Sequence, residues 1–470
     1  MRPRKLLIVL IAISLFVPAA ILSAEEQLAP GPDFGLGLML GVETFDATDG
    51  SSTQETFQTL ALSPDLALGD FGIGLDLVLH YRFVDPAANN GNSFEIRQED
   101  WIPMNGKSFL DLYLPKIKYI RWAEKGAPLY AKFGQIGDAT IGTGFIVNKY
   151  SNTLFQPDEK IMGLNFDLDG QFFGFPYIGI ESFAGNIAHF DVFGGRAYLR
   201  PILWTGIPIL DQLEIGATGV VDLDADYNSA ARGNSFDPAV TGTANAEMVL
   251  IYGADAVLPI LKLDFLSFSL FGDVAFQNKA MGSMVGFGGR VLGIIPYVFQ
   301  LRFLGDNFIP SYFNNSYDLY RGIQYKILNS GTTVVIPGSM SWLATTGFAL
   351  LDDQLTFTAT LDGPFAAIPT DAKANHSYTE YPHLFAQFEV VEGLVPDFSF
   401  KAVYDKKFIA SIEELLSAED ALINAAISYN AGAAKLTLSY DLKYIADSDP
   451  ALTWNDFDVT SSLSCSFQLF

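Results

Sequence analysis

From Phe71 to Phe83 every odd position is apolar or aromatic (Phe71, Ile73, Leu75, Leu77, Leu79, Tyr81, Phe83), while Gly72, Gly74, Asp76, Val78, His80 and Arg82 fall between them. Side chains alternate faces along a strand, so this segment is a strand with one greasy face and one face of small and charged groups. Strands of soluble proteins run to about 5–6 residues, whereas a tilted strand crossing a bilayer needs about 9–11. This one has the membrane length.

The same alternation recurs at Met162–Asp169, Leu213–Asp224, Phe268–Phe276, Tyr297–Phe303 and Leu436–Tyr444. Backbone amides in hydrocarbon must all be paired, so strands cross a membrane only as a closed barrel. Lipid-facing apolar and lumen-facing polar residues then alternate. Tyr81, Phe83, Tyr440 and Tyr444 lie near strand ends, where a membrane interface favours aromatic rings. A secreted β-sandwich would also alternate, but with shorter strands and an outward face richer in Lys, Thr and Ser. The predicted class is all-β, a transmembrane antiparallel β-barrel of about 18–22 strands.

The connections alternate too. Short turns are expected at Gly69-Asp70, Asp352-Asp353, Val391 to Asp397 and Asn430-Ala431-Gly432, and long polar connections at 85–107, 137–159, 225–244, 305–318, 363–381, 405–420 and 446–456. Short periplasmic turns opposite long outer loops are the usual asymmetry of such barrels. Segments 174–200 and 319–342 fit neither pattern cleanly.

At the N-terminus, Arg2, Arg4 and Lys5 precede an apolar stretch from Leu6 to Val17, then Pro18 and Leu22-Ser23-Ala24. This is the layout of a cleaved secretory signal peptide over residues 1–24, leaving 25–470 as one barrel domain. The chain is 49% hydrophobic, yet shows no later apolar run of the roughly 18 residues a membrane helix needs. Losing Arg2, Arg4 and Lys5 takes the net charge from −25 to −28, which disfavours nucleic-acid partners. Cys465 is the sole cysteine, so no intrachain disulfide or Cys-based zinc site is possible.

The chain closes on Leu463-Ser464-Cys465-Ser466-Phe467-Gln468-Leu469-Phe470. This resembles the C-terminal signal strand of Gram-negative outer-membrane β-barrel proteins, a porin-like class. The resemblance implies periplasmic chaperones and the barrel-assembly machinery as partners, with Phe467 and Phe470 as the assembly signal, outer-membrane lipid around the barrel, and a homo-oligomer as one arrangement. It departs in phase, because Leu463, Cys465, Phe467 and Leu469 share a face that excludes Phe470.

No catalytic constellation emerges. Four histidines are present, and Gly282-Ser283-Met284-Val285-Gly286 has its Ser out of place for a nucleophile elbow. Asp222, Asp224 and Asp226 begin like a calcium loop, but Tyr227 and Gly233 occupy positions that need Gly and Glu. No enzyme activity, cofactor or metal is expected.

The inward phase supplies the candidate lumen-lining groups: Asp76, His80, Arg82, Lys132, Asp167, Glu214, Asp222, Asp224, Asp273, Arg290, Arg302, Lys401, Asp441 and Lys443. With Asp169 counted, acids slightly outnumber bases, so a mild cation preference is expected unless these groups pair across strands. In loop 137–159, Ile141, Phe145, Ile146 and Val147 form an apolar island beside Lys149 and Tyr150. Phe145, Lys149 and Tyr150 are the candidate constriction if this loop folds inward. The expected function is passive or weakly selective diffusion of small solutes through an outer-membrane channel. The alternative is a loop-plugged barrel serving as receptor, adhesin or structural protein.

Overall fold

The computed structural model describes residues 33–46, 54–85, 93–104, 108–154, 160–225, 248–329, 335–370, 373, 378–431, 434–444 and 457–468. The signal segment 1–24 and Phe470 lie outside them.

The described residues form one antiparallel sheet of 22 strands. Asp33–Asp46 pairs along one edge with Gln54–Leu68 and along the other with Phe457–Gln468, through Gly35↔Gln468 to Leu38↔Cys465. Following the pairings from strand to strand therefore returns to the start, and the sheet is closed. Phe71–Leu75 and Leu77–Phe83 are two halves of one wall element, as are Phe94–Ile96 and Ile117–Trp122 on its far side. The wall thus has 20 staves, inside the expected range. Segment 174–200 resolves into two staves, Ile178–Ala184 and Val192–Leu199.

The alternation read from sequence is the alternation of faces. Leu77, Phe83, Phe133, Ile215, Leu270, Phe299, Tyr440 and Leu463 are exposed on the outer surface, whereas Gly72, His80, Tyr130, Val220 and Ala275 on the opposite phase are buried. An apolar surface of this extent is what lipid covers. This is a transmembrane β-barrel.

Connections at one rim are mostly tight, as at Gly69-Asp70, 264–265, 292–294 and 351–354, with 200–213 a longer exception. The hairpin expected over Val391 to Asp397 instead keeps strand structure to Val395 and turns at Pro396-Asp397, after a register shift between Val390 and Val395. At the other rim most links are longer, and the turn Asn278-Lys279 is the shortest among the described residues.

Segment 305–318 departs from the expected polar loop, and the ambiguous 319–342 contributes both a helix and the start of a wall strand. After Leu304 the chain leaves the wall and turns into the barrel, where it forms the helix Tyr317–Leu328, and it is back in the wall at Ser339–Leu350. Ile309, Tyr312, Phe313 and Tyr317 are fully buried there. Their spacing within a polar-looking stretch hides an apolar face whose only available cover is the barrel interior.

Candidate functional site

Two inserted segments meet inside the barrel. The first is the loop from Ile136 to Thr153, and the second runs from Asp306 through the helix Tyr317–Leu328. They join by a two-residue parallel pairing, Val147↔Phe313 and Asn148↔Asn314. Ser311 N also donates to Phe145 O at 2.8 Å.

Their contact is dry. Phe145 stacks on Phe308 with ring centroids 5.4 Å apart, and Tyr150 packs on Phe183 and Tyr317. Ile141, Ile146, Val147, Ile309, Tyr312 and Phe313 complete a core against inward residues of the wall, among them Val192, Val220, Ile251, Ala275 and Met284. Two glycines make the approach possible. A Cβ on Gly282 would lie 2.5 Å from the Phe308 ring, and one on Gly142, whose φ is +55°, would lie 2.9 Å from Arg196. Burial of each large side chain contributes on the order of 1.5–3 kcal/mol, enough together to hold both segments inside.

Polar contacts fix their register. Asp222, fully buried, accepts from Tyr317 Oη at 2.5 Å and from Arg321 at 2.6 and 2.8 Å, while Arg321 also pairs with Asp191 at 3.0 Å. Burial, with Asp222 alongside, holds the Tyr317 phenol proton on to well above the ordinary tyrosine value. Gln277 clasps the backbone of Ile309, donating to its carbonyl and accepting from its amide. Thr143 donates to Asp273 at 2.7 Å and the Gly142 amide to Glu181 at 2.8 Å. Asn278, in the tight turn, donates to the carbonyl of Leu328.

The remaining sequence candidates fall into three settings. Paired on the inner wall are Arg82, bound to Glu55 and Glu95; His80, at 2.6 Å from Asp100; Asp76, at 2.7 Å from Lys160; Glu214, bound to Arg196 and Arg200; and Asp441, accepting from Asn424. Lys132 and Asp167 lie on inward-phase positions of neighbouring staves, and Asp224 donates its amide to Asp222. Arg290 and Lys401 differ: Arg290 sits at the tight-turn rim in an exposed pair with Asp353, and Lys401 is exposed, 4.0 Å from Glu389. Lys443 stands opposite Leu422 and Asp458 in register, and Phe467 opposite Leu36 and Ala434.

Beside the dry core lies a polar cleft of about 100 Å³. Its lining includes Lys149, Arg302, Ser341, Asp362, His383 and Lys407. His383 sits between two carboxylates, Nδ1 at 2.9 Å from Asp362 and Nε2 at 2.8 Å from Asp405. Carboxylates only accept, so both ring nitrogens donate and the ring is an imidazolium. Lys407 reaches Ser316 Oγ at 2.6 Å and Asp405 at 3.4 Å; Arg302 reaches Gln300 at 2.9 Å and Asp362 at 3.4 Å. Lys149 Nζ lies 4.1 Å from the Phe385 ring centroid, a cation–π contact. Burial holds its ammonium below the ordinary lysine range. Of this cluster the sequence singled out Lys149 and Arg302 and gave His383 no role. The signal existed in the register, where Asp362 faces His383 directly.

No protein-family model matches the chain, and none of the curated proteins matches it. Among solved structures, similar ones include a BenF-like porin from Pseudomonas fluorescens Pf-5, at 10% identity over 93% of this chain and 98% of that one, TM-score 0.36. Another is Wzi, a carbohydrate-binding outer-membrane β-barrel involved in group 1 capsule assembly in Escherichia coli, at 12% identity over 94% and 85%, TM-score 0.32. A third is the ferric enterobactin receptor of Pseudomonas aeruginosa, at 9% identity over 95% and 74%, TM-score 0.35. At these scores the function rests on the chain's own geometry.

Proposed function

We propose that this chain is a constricted outer-membrane channel for small solutes, exported by way of the signal peptide 1–24 and inserted by the barrel-assembly machinery. The observation that carries the reading is the inward fold of segments 136–153 and 305–328 onto one side of the wall, leaving a polar, charge-lined cleft on the other. A barrel of 20 staves encloses an aqueous lumen unless something fills it. Here the filling is partial and built from the chain itself. Phe145 and Tyr150 anchor the constriction, and Lys149 faces the cleft. The inner-wall charges are largely paired, so selectivity belongs to the narrow cleft rather than to a ring of free carboxylates.

The second reading, a plugged receptor or structural barrel, draws on the dryness of the aromatic core. Swelling of liposomes carrying the purified protein separates the two. The channel reading expects swelling that falls steeply from small amino acids to disaccharides. No swelling with any solute, from a protein shown to be folded, would favour the plugged barrel.

A further inference from the structure

The cleft carries a charge imbalance opposite to that of the chain. The whole sequence has a net charge of −25. Yet the charged side chains lining the cleft are Lys149, Arg302, Lys407 and the doubly donating His383 against one carboxylate, Asp362. Even with the buried Asp405 counted, which contacts His383 and Lys407, cations are in excess. Among the described residues Lys149 makes no ion pair, and its ammonium rests on an aromatic face instead. A second observation is independent of charge. Ser341, with 5% of its surface exposed, lines the same cleft, and its Oγ has no hydrogen-bond partner. Buried hydroxyls are rarely left unmatched, so Ser341 Oγ is free to bond a ligand in the cleft.

We propose that the cleft is a binding subsite for a small oxyanion, a carboxylate or a phosphate group, held by Lys149, Lys407 and Arg302 with Ser341 Oγ donating to it. The planar guanidinium and the two ammoniums supply N–H donors that an oxyanion accepts in charge-assisted hydrogen bonds. The Phe385 ring beneath Lys149 limits its motion, and the fixed loop backbone brings it to the cleft. The volume of about 100 Å³ accommodates an oxyanion headgroup, with the rest of a solute extending toward the lumen. The inference rests on the channel reading for how the solute arrives, but the binding itself does not require conduction.

Calorimetric titration of the folded protein in detergent tests it, with sodium succinate and inorganic phosphate as probes and sodium chloride at matched ionic strength as control. Saturable binding of succinate alone points to carboxylate solutes, of phosphate alone to phosphorylated ones, and either supports the subsite. Lys149→Met should weaken that binding by about tenfold or more, as expected for loss of a charged hydrogen bond. Ser341→Ala should weaken it less, and Lys435→Gln, on a distant exposed pair, should leave it unchanged. Heat-modifiable gel mobility confirms that each variant is folded, and Lys149→Arg should retain binding. No heat above the chloride control for either probe, or binding indifferent to Lys149→Met, overturns the subsite. A barrel that binds succinate yet never conducts would leave the subsite standing and remove the channel.

Discussion

The two sides of the barrel interior solve different problems with different residues. On the side of Val192, Val220, Ile251 and Ala275, the inner wall is apolar or small and is sealed by Phe145, Phe308, Tyr312 and Tyr317. On the side of Arg302, Ser341, Asp362 and His383, the same pleat presents charged and hydroxyl groups to a cleft. Dispersion and hydrophobic burial are non-directional, so the first side fixes where the inserted segments sit. Charge and hydrogen bonding are directional, so the second side can recognise a solute. Lys149 links the two, four residues after the fully buried Phe145 and facing the cleft.

The largest effect is expected from the buried ion cluster that ties the helix Tyr317–Leu328 to the sealed side. Arg321→Ala leaves Asp222 and Asp191 buried without their cation, and breaking such a pair costs about 3–5 kcal/mol. Hydrogen exchange in the helix Tyr317–Leu328 should accelerate sharply while the wall strands stay protected. Unchanged protection of that helix would mean that packing alone holds it. Phe145→Ala follows, with a cavity cost of roughly 3 kcal/mol confined to the inserted segments and read as faster proteolysis of the 136–153 loop.

The cleft side should respond in the opposite sense. Burial holds the Lys149 ammonium below its ordinary range, so folding disfavours its charged form. That penalty is fully present below the folded-state value and fades as pH rises toward the unfolded one. Lys149→Met should therefore raise thermal stability at neutral pH by up to about 1 kcal/mol without anion present. A destabilised variant would show that the ammonium is structurally required.

The smallest effect belongs to the rim. The Arg290 hydrogen bond holds the Asp353 carboxyl below the usual range, so the pair stabilises above the unfolded value near about 3.9 and loses that contribution as pH falls through the folded one. Being exposed, it contributes no more than about 0.5 kcal/mol, and Arg290→Gln should shift the melting temperature by little at pH 7.

The wall was legible because alternation is local: each stave declares its faces within a few residues, as Phe71 to Phe83 does. Loop 137–159 was legible as an apolar island out of place in a polar connection. The second insertion was not. Phe308, Ile309, Tyr312 and Phe313 fall three to four residues apart, but Asp306, Asn307, Pro310, Ser311 and Asn314 around them read as a polar loop, and the helix Tyr317–Leu328 carries Asp318, Arg321, Gln324 and Lys326 among its apolar positions. What makes Asp222 an anchor is Arg321, 99 residues away, and no spacing announces that partner. The expectation of a mild cation preference came from counting acids and bases, whereas the wall pairs most of them and the cleft keeps an excess of cations.

Single-channel conductance in a planar bilayer, comparing the mature protein with a variant lacking residues 139–152, reads the constriction itself. Small, stable steps from the intact barrel and several-fold larger ones from the deletion are the predicted result. Equal conductance in two folded barrels would contradict a constriction made by the inserted loop.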